Sequence, residues 1–170
     1  MKKIYLDYNA TTPVAPSVVD SMQPFFTEHF GNPSSDYSLG RAAAEAIEDG
    51  RSKVASLLGC DLEEIIFTSG GTEANNLAIC GTLFRVGPAA AGHMVISSIE
   101  HPAVTEPARF MERLGYGLTV VECDSNGYVH PSTVEAALQD DTRLVSIMHA
   151  NNEVGTVQPI RQIAEICHGR

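Results

Sequence analysis

The sequence has no C-x-x-C pair and no H-x-x-x-H pair, the spacings that bring two metal ligands together on one turn or one helix face. Its four cysteines (Cys60, Cys80, Cys123 and Cys167) stand far apart. That favours reduced thiols in the cytosol, buried as small hydrophobes, over a disulfide framework, a zinc site or an iron–sulfur cluster. No apolar run reaches the ~20 residues that a membrane-spanning helix needs. Positive charge is scarce: 11 Lys and Arg stand against 21 Asp and Glu, giving a net charge of −10, which argues against a nucleic-acid partner. Met1-Lys2-Lys3 leads straight into a strand-like segment, so no signal peptide is expected. No Lys follows Gly70-Gly71, which excludes a Walker loop, and no G-x-G-x-x-G occurs. The low aromatic content (6%) and hydrophobic content of 44% fit an ordinary soluble protein, and 170 residues suffice for one domain with a real core.

What the sequence does have is an organising stretch at Glu64–Ala78, EIIFTSGGTEANNLA. Ile65, Ile66 and Phe67 read as a short buried strand. Thr68-Ser69-Gly70-Gly71 breaks it, and Thr72 or Ser69 is placed to cap a helix carrying Glu73 in its first turn. A helix N-terminus has unpaired N–H groups and partial positive charge, and glycines let an anion approach. Strand, Gly-Gly-Thr and helix therefore make a candidate phosphate cradle, with plain turn chemistry as the alternative.

Along the rest of the chain, Lys3–Asp7 alternates like a strand and 16–26 reads as a short amphipathic helix whose end Pro24 blurs. Gly31-Asn32-Pro33-Ser34-Ser35-Asp36 is a loop. Ala42–Leu58 reads as a helix stopped by Gly59, with Gly50 weakening its middle. A linker is expected over 87–92, then strands at Met94–Ser98, Gly117–Cys123 and Leu144–Met148. Helices are expected from Pro102 to Leu114, after a Ser132-x-x-Glu135 capping box, and over Ile160–Cys167. Apolar strands alternating with helices predict an α/β fold, a mostly parallel sheet covered on both faces in three α/β/α layers. Ligands gather at the C-terminal ends of such strands. Three polar clusters fall there: Ser69-Gly70-Gly71-Thr72, Glu100-His101 and Asn151-Asn152-Glu153. Together they suggest an anionic ligand with a ring for His101 and a polar group for Asn152.

Five segments resemble, in order and spacing, the cysteine desulfurases of the NifS/IscS type. They are Tyr5-Leu6-Asp7-Tyr8-Asn9-Ala10-Thr11-Thr12-Pro13, Gly31-Asn32-Pro33-Ser34-Ser35, Phe67-Thr68-Ser69-Gly70-Gly71-Thr72-Glu73, Glu100-His101 and Asn151-Asn152-Glu153-Val154-Gly155. The resemblance implies a pyridoxal 5'-phosphate enzyme of the aminotransferase fold (fold type I). It implies that 1–15 forms a small-domain arm and 16–170 part of the large domain. Gly71 and Thr72 would hold the cofactor phosphate. His101 would stack on the pyridine ring and take part in proton transfer, and Asn152 would hydrogen-bond the phenolic oxygen. The bland readings are a helix cap for Thr72, a strand-end cap for His101 and turn formers for Asn151 and Asn152. For Asn9 and Asn32 the bland reading is that they shape loops. The implied activity converts L-cysteine to L-alanine and an enzyme-bound persulfide for iron–sulfur cluster assembly. The whole enzyme would be a cytoplasmic homodimer that hands sulfur to an acceptor or scaffold protein.

Tyr37 stands where many members of the family have His, and selenocysteine lyases resemble the chain there, which keeps L-selenocysteine as an alternative substrate. The family also needs a Schiff-base Lys, an Asp on the pyridine nitrogen and a persulfide Cys. The only lysines are Lys2, Lys3 and Lys53, and Lys53 falls within a helix where a solvated face is the default. No Asp follows Asp141, and Cys167 sits in a structural register. The expectation is about the first half of a desulfurase, inactive alone, with an uncovered sheet edge. The alternative of another class is a non-catalytic partner or one half of a split enzyme.

Overall fold

The computed structural model describes residues 3–85 and 92–169. Of the linker read over 87–92 only Gly92 lies among them, and Met1 and Lys2 of the tail lie outside as well. The chain divides into two compact units, Met1–Phe67 and Thr68–Arg170.

In the first unit, Lys3–Asp7 is irregular rather than a strand, with Ile4 and Leu6 81% and 85% exposed. Alternation becomes a strand only when a neighbour takes its N–H and C=O groups, and no described strand lies beside it. The single helix expected over 16–26 is two, α1 (Pro16–Met22) and α2 (Pro24–Thr27). Pro24 has no N–H to continue the first ladder, yet it suits the first position of the second. The loop that follows is shaped by Asn32, whose Oδ1 accepts the Ser34 N–H at 2.9 Å. A Cβ on Gly40 would fall 2.1 Å from the Ser35 carbonyl oxygen, so loop and helix meet where only glycine fits. The helix there, α3 (Ser38–Leu58), starts earlier than the sequence suggests and runs unbroken through Gly50. Gly59 ends it in the left-handed region, φ +69°, as expected.

The strand expected at Ile65–Phe67 is also absent. Ile66 and Phe67 are 67% and 52% exposed. Arg51 of α3 holds the segment instead, donating to the Ile65 carbonyl while its guanidinium lies 5.0 Å from the Phe67 ring centre. The β-favouring residues are there, but among the described residues no strand partner is.

The second unit begins with α4 (Gly71–Phe84) and alternates strand and helix thereafter. β1 (His93–Ser97) leads to α5 (Pro102–Arg113), β2 (Gly117–Val121) to α6 (Pro131–Ala137), and β3 (Thr142–Ser146) to α7 (Ile160–His168). The strands form a parallel sheet in the order β2-β1-β3, with Met94 opposite Leu118 and Leu144. β1 is buried along its whole length and alternates between two cores. Met94 and Ile96 pack with Ile79 and Leu83 of α4 and with Val104, Ala108 and Met111 of α5. Val95 faces the other way, onto Val134 of α6 and Ile163 of α7. The three-layer α/β/α arrangement expected from the sequence is therefore present, and each fully buried side chain of this size stabilises it by ~1.5–3 kcal/mol.

The Ser132–Glu135 capping box does not form. Pro131 takes the first helical position of α6 and His130 becomes the N-cap, so Ser132 is already inside the helix. At the N-terminal end of the sheet the buried His93 bridges all three strands. Its Nδ1 is 2.8 Å from Thr142 Oγ1 and its Nε2 is 2.8 Å from Thr119 Oγ1. Burial pushes the His93 pKa down against a smaller upward pull from Asp141.

Candidate functional site

All the site residues expected from the sequence (Gly71, Thr72, His101 and Asn152) lie in the second unit. Asn9, Asn32 and Tyr37 belong to the first, where Tyr37 is the N-cap residue of α3.

Gly70 is the N-cap of α4 and Gly71 its first residue. The first bond of the ladder runs from Ala74 N–H to the Gly70 carbonyl, at 3.0 Å. The N–H groups of Gly71, Thr72 and Glu73 therefore precede it. Neither Ser69 nor Thr72 caps the helix with its side chain, contrary to the expectation. Glu73 reaches back instead, and its Oε2 accepts the Ser69 N–H at 2.6 Å and the Ser69 hydroxyl at 2.7 Å. Those bonds lower the Glu73 pKa, the hydroxyl more than the N–H. They also engage both donors of Ser69, so Gly71 and Thr72 are the candidate anion donors here. Among the described residues, beyond the chain neighbours and the helix's own backbone, no atom comes within 4 Å of a Cβ built on Gly70 or Gly71, so the terminus is open. Open N–H groups without Cβ cover fit a phosphate.

His101 follows the C-terminal end of β1 and is the N-cap of α5. Its Nδ1 accepts the Ala103 N–H at 3.0 Å. In the neutral ring the proton is therefore on Nε2. The bland reading of His101 as a cap is realised, and the cap fixes one ring nitrogen while the side chain stays exposed.

Asn152 sits in the loop after β3, where its Nδ2 donates to Glu153 Oε1 at 3.1 Å. The loop is a closed hairpin, with an antiparallel bridge between Ala150 and Val157 and the Asn151 N–H on the Thr156 carbonyl at 3.0 Å. Asn151 is its hub. Its Oδ1 accepts the N–H groups of Glu153 and Val154 at 2.9 and 3.0 Å, so the turn-former reading holds for this residue.

Two bonds tie the His101 loop to the Asn152 hairpin. Glu100 Oε1 accepts the Met148 N–H at 2.7 Å, and Asn151 Nδ2 donates to the Ile99 carbonyl at 3.2 Å. The Ser97 hydroxyl also donates to Glu100 Oε1, at 2.6 Å. Burial raises the Glu100 pKa, and the bonds from Ser97 and Met148 oppose it. Gly71 and Thr72 join the same unit through α4, which packs against α5. Two of the three clusters read from the sequence thus lie just past the ends of parallel strands. The third follows a segment that is not a strand.

Glu100 is a latch that its own sequence neighbourhood does not announce, and no local motif picks out Gln158, which is only 3% exposed. The Met148 N–H and the Val129 and Gly127 backbone groups they hold lie 29 to 48 residues away, beyond any local pattern. Burial raises the pKa of the Cys80 and Cys167 thiols, and Lys53 is paired with Asp49 on the exposed face of α3. Among the described residues no His, Cys, Asp and Glu cluster could hold a metal ion, and no helix is long and apolar enough to cross a membrane.

The chain is 48% identical to the cysteine desulfurase IscS of Dictyoglomus turgidum over 165 residues, 97% of this chain and 42% of that protein. It is 45% identical to cysteine desulfurase IscS 1 of Archaeoglobus fulgidus over 166 residues, 98% of this chain and 43% of that one. The structure of SspA in complex with cysteine superposes with a TM-score of 0.92 at 39% identity, over 97% of this chain and 47% of that one. A NifS-like protein gives a TM-score of 0.88 at 38% identity, over 99% and 46%. The chain spans less than half the length of the curated relatives it matches. The profile of the aminotransferase class-V family matches residues 4–170. The chain belongs to the class V aminotransferase family, and its relatives there include cysteine desulfurases of the NifS/IscS type.

Proposed function

We propose that this chain is the cofactor-binding portion of a pyridoxal 5'-phosphate-dependent cysteine desulfurase, which turns L-cysteine into L-alanine and an enzyme-bound persulfide that feeds iron–sulfur cluster assembly. The observation that carries the reading is the latch at the C-terminal end of the sheet. It brings the loops of His101 and Asn152 together in the unit that also holds the open N-terminus of α4.

Each residue's part follows from its own chemistry. The N–H groups of Gly71 and Thr72 and the Thr72 hydroxyl donate to the phosphate. His101, with Nδ1 committed to Ala103, offers its ring face to the pyridine and its Nε2 as the site that gives up or takes a proton. The Asn152 amide donates to the phenolic oxygen. When bound, pyridoxal phosphate supplies the electron sink for cleaving the bond to sulfur. None of the lysines in the sequence is suited to bind the cofactor covalently: Lys2 and Lys3 are in the tail, and Lys53 is exposed and paired. The chain alone therefore binds cofactor weakly and does not turn over.

In the same reading 1–15 is an arm of the small domain and 16–170 part of the large one. The whole enzyme is a cytoplasmic homodimer that passes sulfur to a scaffold protein. The test is to mix purified chain with pyridoxal phosphate and L-cysteine, following cofactor binding and alanine release. Saturable binding without alanine supports the reading. Turnover that Lys53→Ala abolishes would overturn it.

A further inference from the structure

The hairpin that carries Asn152 is anchored on its other side by a buried amide. Gln158 ends the hairpin, its own N–H donating to the His149 carbonyl at 2.8 Å. Its side chain turns to the loop between β2 and α6. There Oε1 accepts the Val129 N–H at 2.8 Å and Nε2 donates to the Gly127 carbonyl at 2.6 Å. Both functions of the amide are used, against backbone groups about thirty residues away in sequence. Val129 is fully buried, so its N–H has no solvent alternative. Two more features mark the same junction. The Thr156 hydroxyl donates to the Asn126 carbonyl. Gly127, at φ +74°, lets Val154 approach to 3.3 Å of where its Cβ would stand.

We propose that Gln158 is a positioning residue, whose amide locks the 149–158 hairpin to the β2–α6 loop and through it sets where Asn152 stands toward the cofactor. This rests on the cofactor reading above. The hairpin is then held from both sides: Glu100 and Asn151 fix it to the His101 loop, and Gln158 fixes it to the neighbouring loop. Asn152 stands on the hairpin, as does its partner Glu153, so a shift of the hairpin backbone moves both.

The test uses the full chain and two readouts. The first is amide hydrogen exchange. Gln158→Met keeps the volume and removes both bonds, and should speed exchange at Asn151 and Gly155 about tenfold or more while leaving β1 unchanged. Thr156→Val, a milder change at the same junction, should act in the same direction, and serves if Gln158→Met does not fold. The second is the dissociation constant of pyridoxal phosphate in a double-mutant cycle with Asn152→Ala. Gln158→Met should weaken binding about tenfold in the native background and have little further effect once Asn152 is gone. Unchanged exchange would overturn the lock. Equal losses in both backgrounds, or none, would overturn the positioning role. If the native chain shows no saturable binding, the cofactor reading falls, and the positioning role with it, while exchange still decides whether the lock exists.

Discussion

The Glu100 carboxylate accepts the Met148 N–H at 2.7 Å, joining the end of β1 to the end of β3 across 48 residues of sequence. One oxygen takes both this bond and the Ser97 hydroxyl, and Ser97 is fully buried. A carboxylate shielded from water is costly unless donors surround it, and these two are the compensation. The bond aligns the two loops on which His101 and Asn152 stand.

Glu100→Ala should cost about 1–3 kcal/mol, because it leaves the Met148 N–H and the Ser97 hydroxyl without their acceptor. Glu100→Gln keeps an acceptor oxygen and should cost less. Urea unfolding of the two variants checks the order.

Glu100 and His93 pull stability in opposite directions with pH. The Glu100 pKa is raised in the fold, so its contribution is fully present below the unfolded carboxyl value and is lost as pH rises through the folded one. The His93 pKa is lowered, so the unfolded chain takes up the proton first and stability falls as pH drops below about 6.5. Between pH 8 and pH 5.5 His93→Phe should therefore flatten the dependence of Tm on pH, even though it loses the two threonine contacts.

Gly71→Ala should separate folding from ligand binding. A Cβ there meets no atom within 4 Å, and alanine is the better helix former, so Tm should hold or rise. The methyl group would stand among the N–H groups proposed to bind the phosphate, so on that proposal pyridoxal phosphate should bind several-fold more weakly. Thermal melts and a cofactor titration on one sample read both effects.

Gly117→Ala tests the opposite case. Its Cβ would sit 3.0 Å from His93 Cδ2, where the ring is pinned between Thr119 and Thr142. Overpacking a held side chain typically costs about 1–3 kcal/mol, read by urea unfolding.

The layered α/β plan was legible because its signals are local. Apolar runs mark β1, β2 and β3 to within a residue or two, Pro102 opens α5, and Gly59 stops α3. Ile65–Phe67 carries the same apolar, β-favouring signal, yet it is no strand, because strand formation depends on a neighbour that the segment's own residues do not encode. The candidate site residues Gly71-Thr72, His101 and Asn152 stand out in the sequence as motifs, and the structure sets all of them in the second unit. The bond of Glu100 to Met148 and the side-chain bonds of His93 and Gln158 are not legible, because each joins groups 26 to 49 residues apart and no periodicity announces such a pairing.

If this chain contributes the phosphate-binding and ring-binding groups of the proposed site and no covalent anchor, equilibrium binding of pyridoxal 5'-phosphate and of phosphate-free pyridoxal, each to the native chain and to Lys53→Ala, is the measurement to make first. Expected are weak saturable binding of the phosphate form, much weaker binding of pyridoxal, and no effect of the substitution. Equal affinity for the two forms, or binding that disappears with Lys53, would overturn the proposed site.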